Sequence, residues 1–412
     1  MSDSVQSHTR FIAFRSASAF RFGIPNASKR ADQSGKAGAI YLTNVRQFAV
    51  QALQSNPKVQ LATEAVRLPC LPIADWATAD FAAKALLILL PTQALGDCTQ
   101  ATMALQALLE QRRPRTITVA CAGAAYDIIA SNPRLDVRSL WFEHGEATRF
   151  DYVLDLGHMS ATWDIDTWPV DFETAMLAAF GIGPSDAYSA QPWALPSARK
   201  PKIGILPLAS SPLRTLPVAT VSAIVSALAP HGDLTVCLNS NQSQGRLMAS
   251  ALSGIRSQGL RILDNFATIA DLMAAVRGFD YAVFADSGPA HIAKLFGTPG
   301  VAIYTSAPSQ VLQGRFRNLT AYDTAFSGPH CQAPCGLAKV RQAADGRIGC
   351  MGSLQVPLAD LPSVPRSADP KAVQRLIENP VPCVAALDSA SPAVAAFIEA
   401  DFRRALAASR QG

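Results

Sequence analysis

The feature that most constrains this chain is a repeated alternation of short apolar runs with helix-patterned segments. "KALLILLP" (Lys84–Pro91), "TITVACAG" and "DYVLDLG" (Asp151–Gly157) are separated by "ATMALQALLEQR" and "AAYDIIASNP". The layout returns in "KIGILPLA" (Lys202–Ala209), "LTVCLNS", "RILDN", "DYAVFA" and "GVAIYTS", with "VATVSAIVSALAP" and "TIADLMAAVRG" between them. Strands that alternate with helices in this way predict parallel sheets with helices on their faces. The Pro-rich stretch "QPWALPSARKP" parts the two series, so the expectation is α/β with two Rossmann-like, doubly wound domains facing a cleft. The expected divisions are a basic, partly helical extension (1–80), an N-terminal domain (81–197), a C-terminal domain (198–385) and a closing helix (386–412). Helix character in the extension comes from "NVRQFAVQALQSN"; "LPCLPIADW" reads as a linker.

One turn stands out. In "FADSGPAHIAKLFGTP" (Phe284–Pro299) a buried strand gives way, through an acid, a serine and a glycine, to a helix with proline in its first turn. Ser287 or Gly288 serves as N-cap. Free backbone N–H groups and the positive end of a helix dipole then point at one spot, which suits a phosphate. An ordinary strand-to-helix corner has the same local pattern.

Composition narrows the class. With 49% apolar and 16% charged residues the chain has a globular profile. The nearest approach to a membrane-length apolar run is Ala82 to Leu90, interrupted by Lys84. Residues 1–60 hold eight Lys or Arg against Asp3 and Asp32, so they carry +6 and the remainder −1 of the net +5. A nucleic-acid-binding surface over the whole chain is therefore not expected. The basic, Ser-rich start reads first as a solvated arm, with a contact for anionic lipid or a transit peptide as the other readings. It lacks the apolar core of a secretory signal, which favours a cytoplasmic protein with an option of peripheral contact at the inner membrane. Eight cysteines in 412 residues do not make a disulfide scaffold. Cys331, Cys335 and Cys350, with His330 and Cys383, are spaced so that a structural zinc or iron site is one reading and reduced thiols or a single disulfide another.

Taken together, "LILLPTQALGDCTQATMALQAL", "NPRLD", "FDYVLDL", "IGILPLASSPLRTLP" and "DSGPAHIAKLFGTP" resemble, in order, glycosyltransferase family 9, the ADP-heptose:lipopolysaccharide heptosyltransferases and their relatives. The resemblance spans about residues 84–355 and leaves the extension outside. It implies a GT-B fold and inverting sugar transfer from a nucleotide diphosphate donor to a cell-envelope glycan, a lipid-linked acceptor or a protein hydroxyl, with no catalytic metal. The N-terminal domain would take the acceptor and the C-terminal domain the donor. By the same resemblance Asp97 is the candidate general base, helix N-cap being its plain structural alternative. Ser210, Ser211, Arg214, Asp286, Ser287, Gly288, His291 and Thr305 would bind the donor, Arg214 standing where relatives usually carry lysine. For Arg214 the alternative is a surface turn charge, and for His291 a core histidine. Two departures keep a non-catalytic GT-B scaffold open as a second reading. "YTSAPS" lacks a glycine that relatives have, and "CLNSNQSQGR" lacks their acidic residue, which leaves ADP unsettled as the nucleotide. Some protein-modifying relatives carry iron.

Overall fold

The computed structural model describes residues 8–22, 33–43, 50, 53–54, 56–62, 67–121, 123–157, 159, 170–188, 199–254, 260–337, 339–361 and 370–409. The chain divides into two compact units. One comprises Met1–Asp164, Phe172–Ala187 and Ala267–Asp271; the other comprises Ile165–Asp171, Tyr188–Phe266 and Leu272–Gly412. Most of the helix expected around residues 44–56, and the linker expected at 191–198, lie outside the described residues.

In the first unit, the described part of the basic extension includes strands. β1 (Ile12–Ser16), β2 (Ile40–Thr43) and β3 (Val59–Leu61) pair antiparallel. β1 reads Ile-Ala-Phe-Arg-Ser, and its Arg15 is exposed while Ala13, Phe14 and Ser16 are buried. That places the Arg15 charge in water and the aromatic ring inside, on opposite faces of the strand. The stretch read as a linker is likewise structured, with a strand at Arg67–Pro69 and a 3-10 turn at Ile73–Asp75.

The parallel sheet of this unit follows as expected. β4 (Ala85–Leu90), α1 (Leu95–Gln111), β5 (Thr116–Cys121), α2 (Ala124–Ala130), β6 (Asp136–Ser139), β7 (Phe142–Glu143), β8 (Tyr152–Asp155) and α3 (Phe172–Phe180) come in sequence. The parallel order is β6-β5-β4-β8, while β7 leaves it to extend the N-terminal sheet as β7-β2-β1-β3. Successive residues of β4 point to opposite faces. Leu87 and Leu89 join Ala120 and Val153 in one cluster with Ala13, Leu42 and Phe142 of the antiparallel sheet. The other face presents Leu86, Ile88 and Leu90, all fully buried.

The second unit holds β9 (Lys202–Leu206), α4 (Val218–Leu228), β10 (Asp233–Leu238), α5 (Ser243–Leu252), β11 (Arg261–Asp264), α6 (Ile269–Gly278) from Leu272 onward, β12 (Tyr281–Ala285), α7 (Gly288–Phe296), β13 (Gly300–Tyr304), α8 (Ser309–Leu312) and β14 (Leu319–Asp323). Its six parallel strands run β11-β10-β9-β12-β13-β14. Gly300 is required at the β12–β13 pairing. It has φ +155, and a Cβ there would lie 1.7 Å from the Ala282 carbonyl oxygen. α9 (Pro382–Ser389) and α10 (Ser391–Ser409) close the unit, the latter starting where Ser391 marks it in the sequence. Val394, Ile398 and Phe402 of α10 enter the main core, and Asp401 accepts hydrogen bonds from Tyr281 and Thr320, both at 2.8 Å. No single helix among the described residues is long and apolar enough to cross a membrane.

Candidate active site

Ligands of open parallel sheets bind beyond the carboxyl ends of the strands, where the strand order reverses direction. In the second unit the order runs outward from β9 to β11, then returns to the other side of β9 with β12. Arg214 lies in the turn after β9, and Asp286 follows β12 directly. The reversal therefore brings together two residues 72 positions apart.

An Nη of Arg214 donates to the Asp286 carbonyl at 3.1 Å and to its Oδ2 at 3.4 Å, while the second Nη donates to Ser210 Oγ at 3.1 Å. The pair is deep: Asp286 is 1% exposed, and the Arg214 side chain 14%. Burial pushes the Asp286 carboxyl above its ordinary range, and Arg214 and Lys294 oppose that shift. Among the described residues, Asp286 Oδ1 and Arg214 Nε, both buried, have no hydrogen-bond partner. Buried polar atoms are nearly always satisfied, so an unsatisfied acceptor and an unsatisfied donor on one ion pair call for a polar partner.

α7 opens alongside. Ser287 is the N-cap in extended conformation, Gly288 is the first helical residue, and no described side chain caps the helix. Ser287 Oγ instead donates back to the Ala285 carbonyl at 3.3 Å. The leading N–H groups are thus not taken by a capping side chain, the arrangement that binds anions at helix N-termini. His291 is buried on the same helix, with its pKa held well below the usual imidazole range by burial and by the charges of Lys294 and Arg214. Ser211 is buried, and its Oγ accepts from the Leu213 N–H at 3.3 Å. Thr305, after β13, donates to the Leu213 carbonyl at 2.5 Å. These two hydroxyls brace the turn that carries Arg214, and their hydrogen bonds run inward to that turn.

Lys294 was not among the residues singled out in the sequence. It is 3% exposed and reaches both His291 Nδ1 and the Leu312 carbonyl. The available signal was its spacing, three residues after His291 in an otherwise apolar helical run.

In the first unit the reversal falls between β4 and β8. The turn after β4 carries Thr92 and leads into α1, whose N-cap is Ala94. Asp97 is therefore in the first turn of the helix and is not its cap. It accepts a hydrogen bond from Thr92 Oγ1 at 2.8 Å, and it is half-buried.

The thiols occupy a different place. All eight cysteines are free. Cys331, Cys335, Cys350 and Cys383 line one small cavity together with Leu213 and Ser306. Burial and the three neighbouring sulfurs push Cys383 up to about 12. Among the described residues, no three His, Cys, Asp or Glu groups stand together as a metal ion requires, and His330 is exposed outside the cavity lining.

This fold, with its two parallel sheets, is that of the GT-B glycosyltransferases, and the class of the protein is glycosyltransferase. Residues 169–340 match the model of glycosyltransferase family 9 (heptosyltransferase), the family that the motifs resemble. The iron-containing dodecameric glycosyltransferase TibC from enterotoxigenic E. coli superposes with a TM-score of 0.50 at 12% identity, covering 93% of this chain and 94% of that one. E. coli ADP-heptose LPS heptosyltransferase II (TM-score 0.45, 15% identity, 60% of this chain and 91% of that one) is also similar. So is E. coli heptosyltransferase WaaC with ADP (TM-score 0.43, 12% identity, 72% and 99%). No curated protein sequence matches the chain.

Proposed function

We propose that the protein transfers a heptose-like sugar from a nucleotide diphosphate donor to a hydroxyl of a cell-envelope glycan or a protein, with inversion and without a catalytic metal. The observation that carries this reading is the buried Arg214–Asp286 pair, each member of which has one polar atom without a partner among the described residues. Arg214 Nε and the Gly288 end of α7 would hold the diphosphate, and Asp286 Oδ1 would accept from a sugar hydroxyl. Charge that builds on the departing diphosphate is then met by fixed donors, which often supply the greatest part of the rate enhancement in such reactions. Asp97, oriented by Thr92, would take the proton from the acceptor hydroxyl as the acceptor oxygen displaces the diphosphate at the anomeric carbon. Ser210 would release Arg214 toward the phosphates, while Ser211 and Thr305 would act by holding its turn. The match to the heptosyltransferase family over residues 169–340, which include Arg214 and Asp286, supports a donor of this kind.

A thermal-shift survey of nucleoside diphosphates and their sugars, followed by turnover with the best ligand, tests the proposal. Asp97→Asn should lower transfer by about a hundredfold or more while nucleotide affinity stays near wild type. Equal turnover in the variant would remove Asp97 from the chemistry. Tight binding with neither transfer nor hydrolysis in the wild type would leave only the scaffold reading.

A further inference from the structure

Lys294 sits where nothing in the sugar-transfer scheme requires a charge. Its ammonium is almost wholly buried, packs 5.5 Å from the centre of the Phe316 ring, and hydrogen-bonds the Leu312 carbonyl at the end of α8. Burying a lysine has a substantial desolvation cost, and a backbone carbonyl offsets only part of it. Another contact is the informative one: Nζ lies 3.3 Å from His291 Nδ1. An ammonium has three N–H donors and no lone pair, so in this contact Nδ1 must accept. The ring proton is then on Nε2. The charges acting on the ring are Lys294 from α7 and Arg214 from the turn after β9, and both oppose a second proton. Asp286, at the end of β12, is engaged by Arg214. The Leu312 carbonyl of α8 is uncharged and anchors Lys294 from the other side.

We propose that Lys294 is a positioning residue for His291, fixing its imidazole as the Nε2–H tautomer so that the ring meets the donor's diphosphate as a neutral hydrogen-bond donor. The role given to Nε2 rests on the donor site proposed above, whereas the tautomer stands on the Lys294 contact alone. A fixed neutral donor suits a leaving group that gains charge, because it need not lose or gain a proton during the step. It also keeps His291 from serving as an acid or base, leaving proton transfer to Asp97.

The test uses the full-length protein labelled with 15N in the imidazoles. The sequence has six histidines, and the His291→Gln spectrum identifies the signal. In the wild type, His291 should show an acceptor-type Nδ1 and a protonated Nε2 without titrating between about pH 5 and 8. Lys294→Met should admit the Nδ1–H form, while burial, the larger cause of the lowered imidazole pKa, remains. Lys294→Gln, whose amide still donates, should keep the wild-type tautomer. Calorimetry with ADP, or with the nucleoside diphosphate that gives the largest thermal shift, should show about tenfold weaker binding in Lys294→Met and recovery in Lys294→Gln. A wild-type His291 that titrates in this range, or that carries its proton on Nδ1, overturns the proposal whether or not the variants fold. An unchanged tautomer in Lys294→Met does so as well, reducing Lys294 to a structural bond on Leu312. Failure of every nucleoside diphosphate to bind the wild type would refute the donor site and the role of Nε2, and the spectra would still decide the tautomer.

Discussion

Arg214 and Asp286 hold each other in a place almost without water, and that fixes what their substitution does. Arg214→Ala leaves an ionisable carboxyl buried without its hydrogen-bonded counter-charge, a loss of about 3 kcal/mol by comparison with other broken buried pairs. Asp286→Asn keeps the shape and removes the charge, so its loss should be smaller. Urea unfolding of both variants checks the order, and equal midpoints would mean that the pair is not buried as described. The pH response is separable. His291 has a depressed folded-state pKa, so its contribution to stability is complete above the ordinary imidazole value of 6.5 and is lost as pH falls below it. The slope is at most about 1.4 kcal/mol per pH unit for one such group. Asp286, with a raised pKa, acts in the opposite sense, favouring the fold below its ordinary value of 3.8 and losing that contribution as pH rises toward the folded value. Unfolding at pH 7.5 and 5.5 should therefore show a smaller acid loss in His291→Gln than in the wild type; parallel losses would contradict the assignment. At this scale the sequence was partly legible. The strand-to-helix turn at Asp286 could be read from its residue types, and so could the helix start at Ser287. The partnership with Arg214 could not be read, because it depends on how the sheet order reverses. Lys294 was missed because a lysine in a helix is ordinarily a solvated charge.

The elements show a similar contrast. β4, β12 and β13 are continuous apolar runs, as a fully buried parallel strand tends to be. The extension was harder because its strands are short, half-polar and paired over long separations. Phe142 of β7 lies opposite Leu42 of β2, a hundred residues earlier. Within this sheet Phe14 is fully buried and stacks on Trp141 with ring centroids 4.8 Å apart. Phe14→Ala should destabilise the protein by about 3 kcal/mol and speed amide exchange at Tyr41 and Leu42 in the neighbouring strand. Unchanged exchange there would show that the extension does not depend on this ring. Gly300→Ala makes the corresponding test in the second unit. Its methyl would meet the backbone of β12, directly before the candidate site, so loss of folded protein is expected instead of a modest shift.

For the whole molecule, each parallel sheet reverses its strand order once, and each reversal carries one of the motifs by which the chain resembles family 9. The first places Thr92 and Asp97 beyond β4; the second places Arg214 and Asp286 beyond β9 and β12. That coincidence of topology with chemistry, more than any single residue, makes nucleotide-sugar transfer the best account of the protein. The nucleotide was not legible, since "CLNSNQSQGR" offers several polar groups and no decisive one. The most direct measurement is hydrogen exchange with and without the nucleoside diphosphate that binds best. The account predicts strong new protection at Ser287 and Gly288 and in the Ser210–Arg214 turn, abolished in Arg214→Ala. Protection that leaves these amides unchanged while the ligand is bound would contradict it.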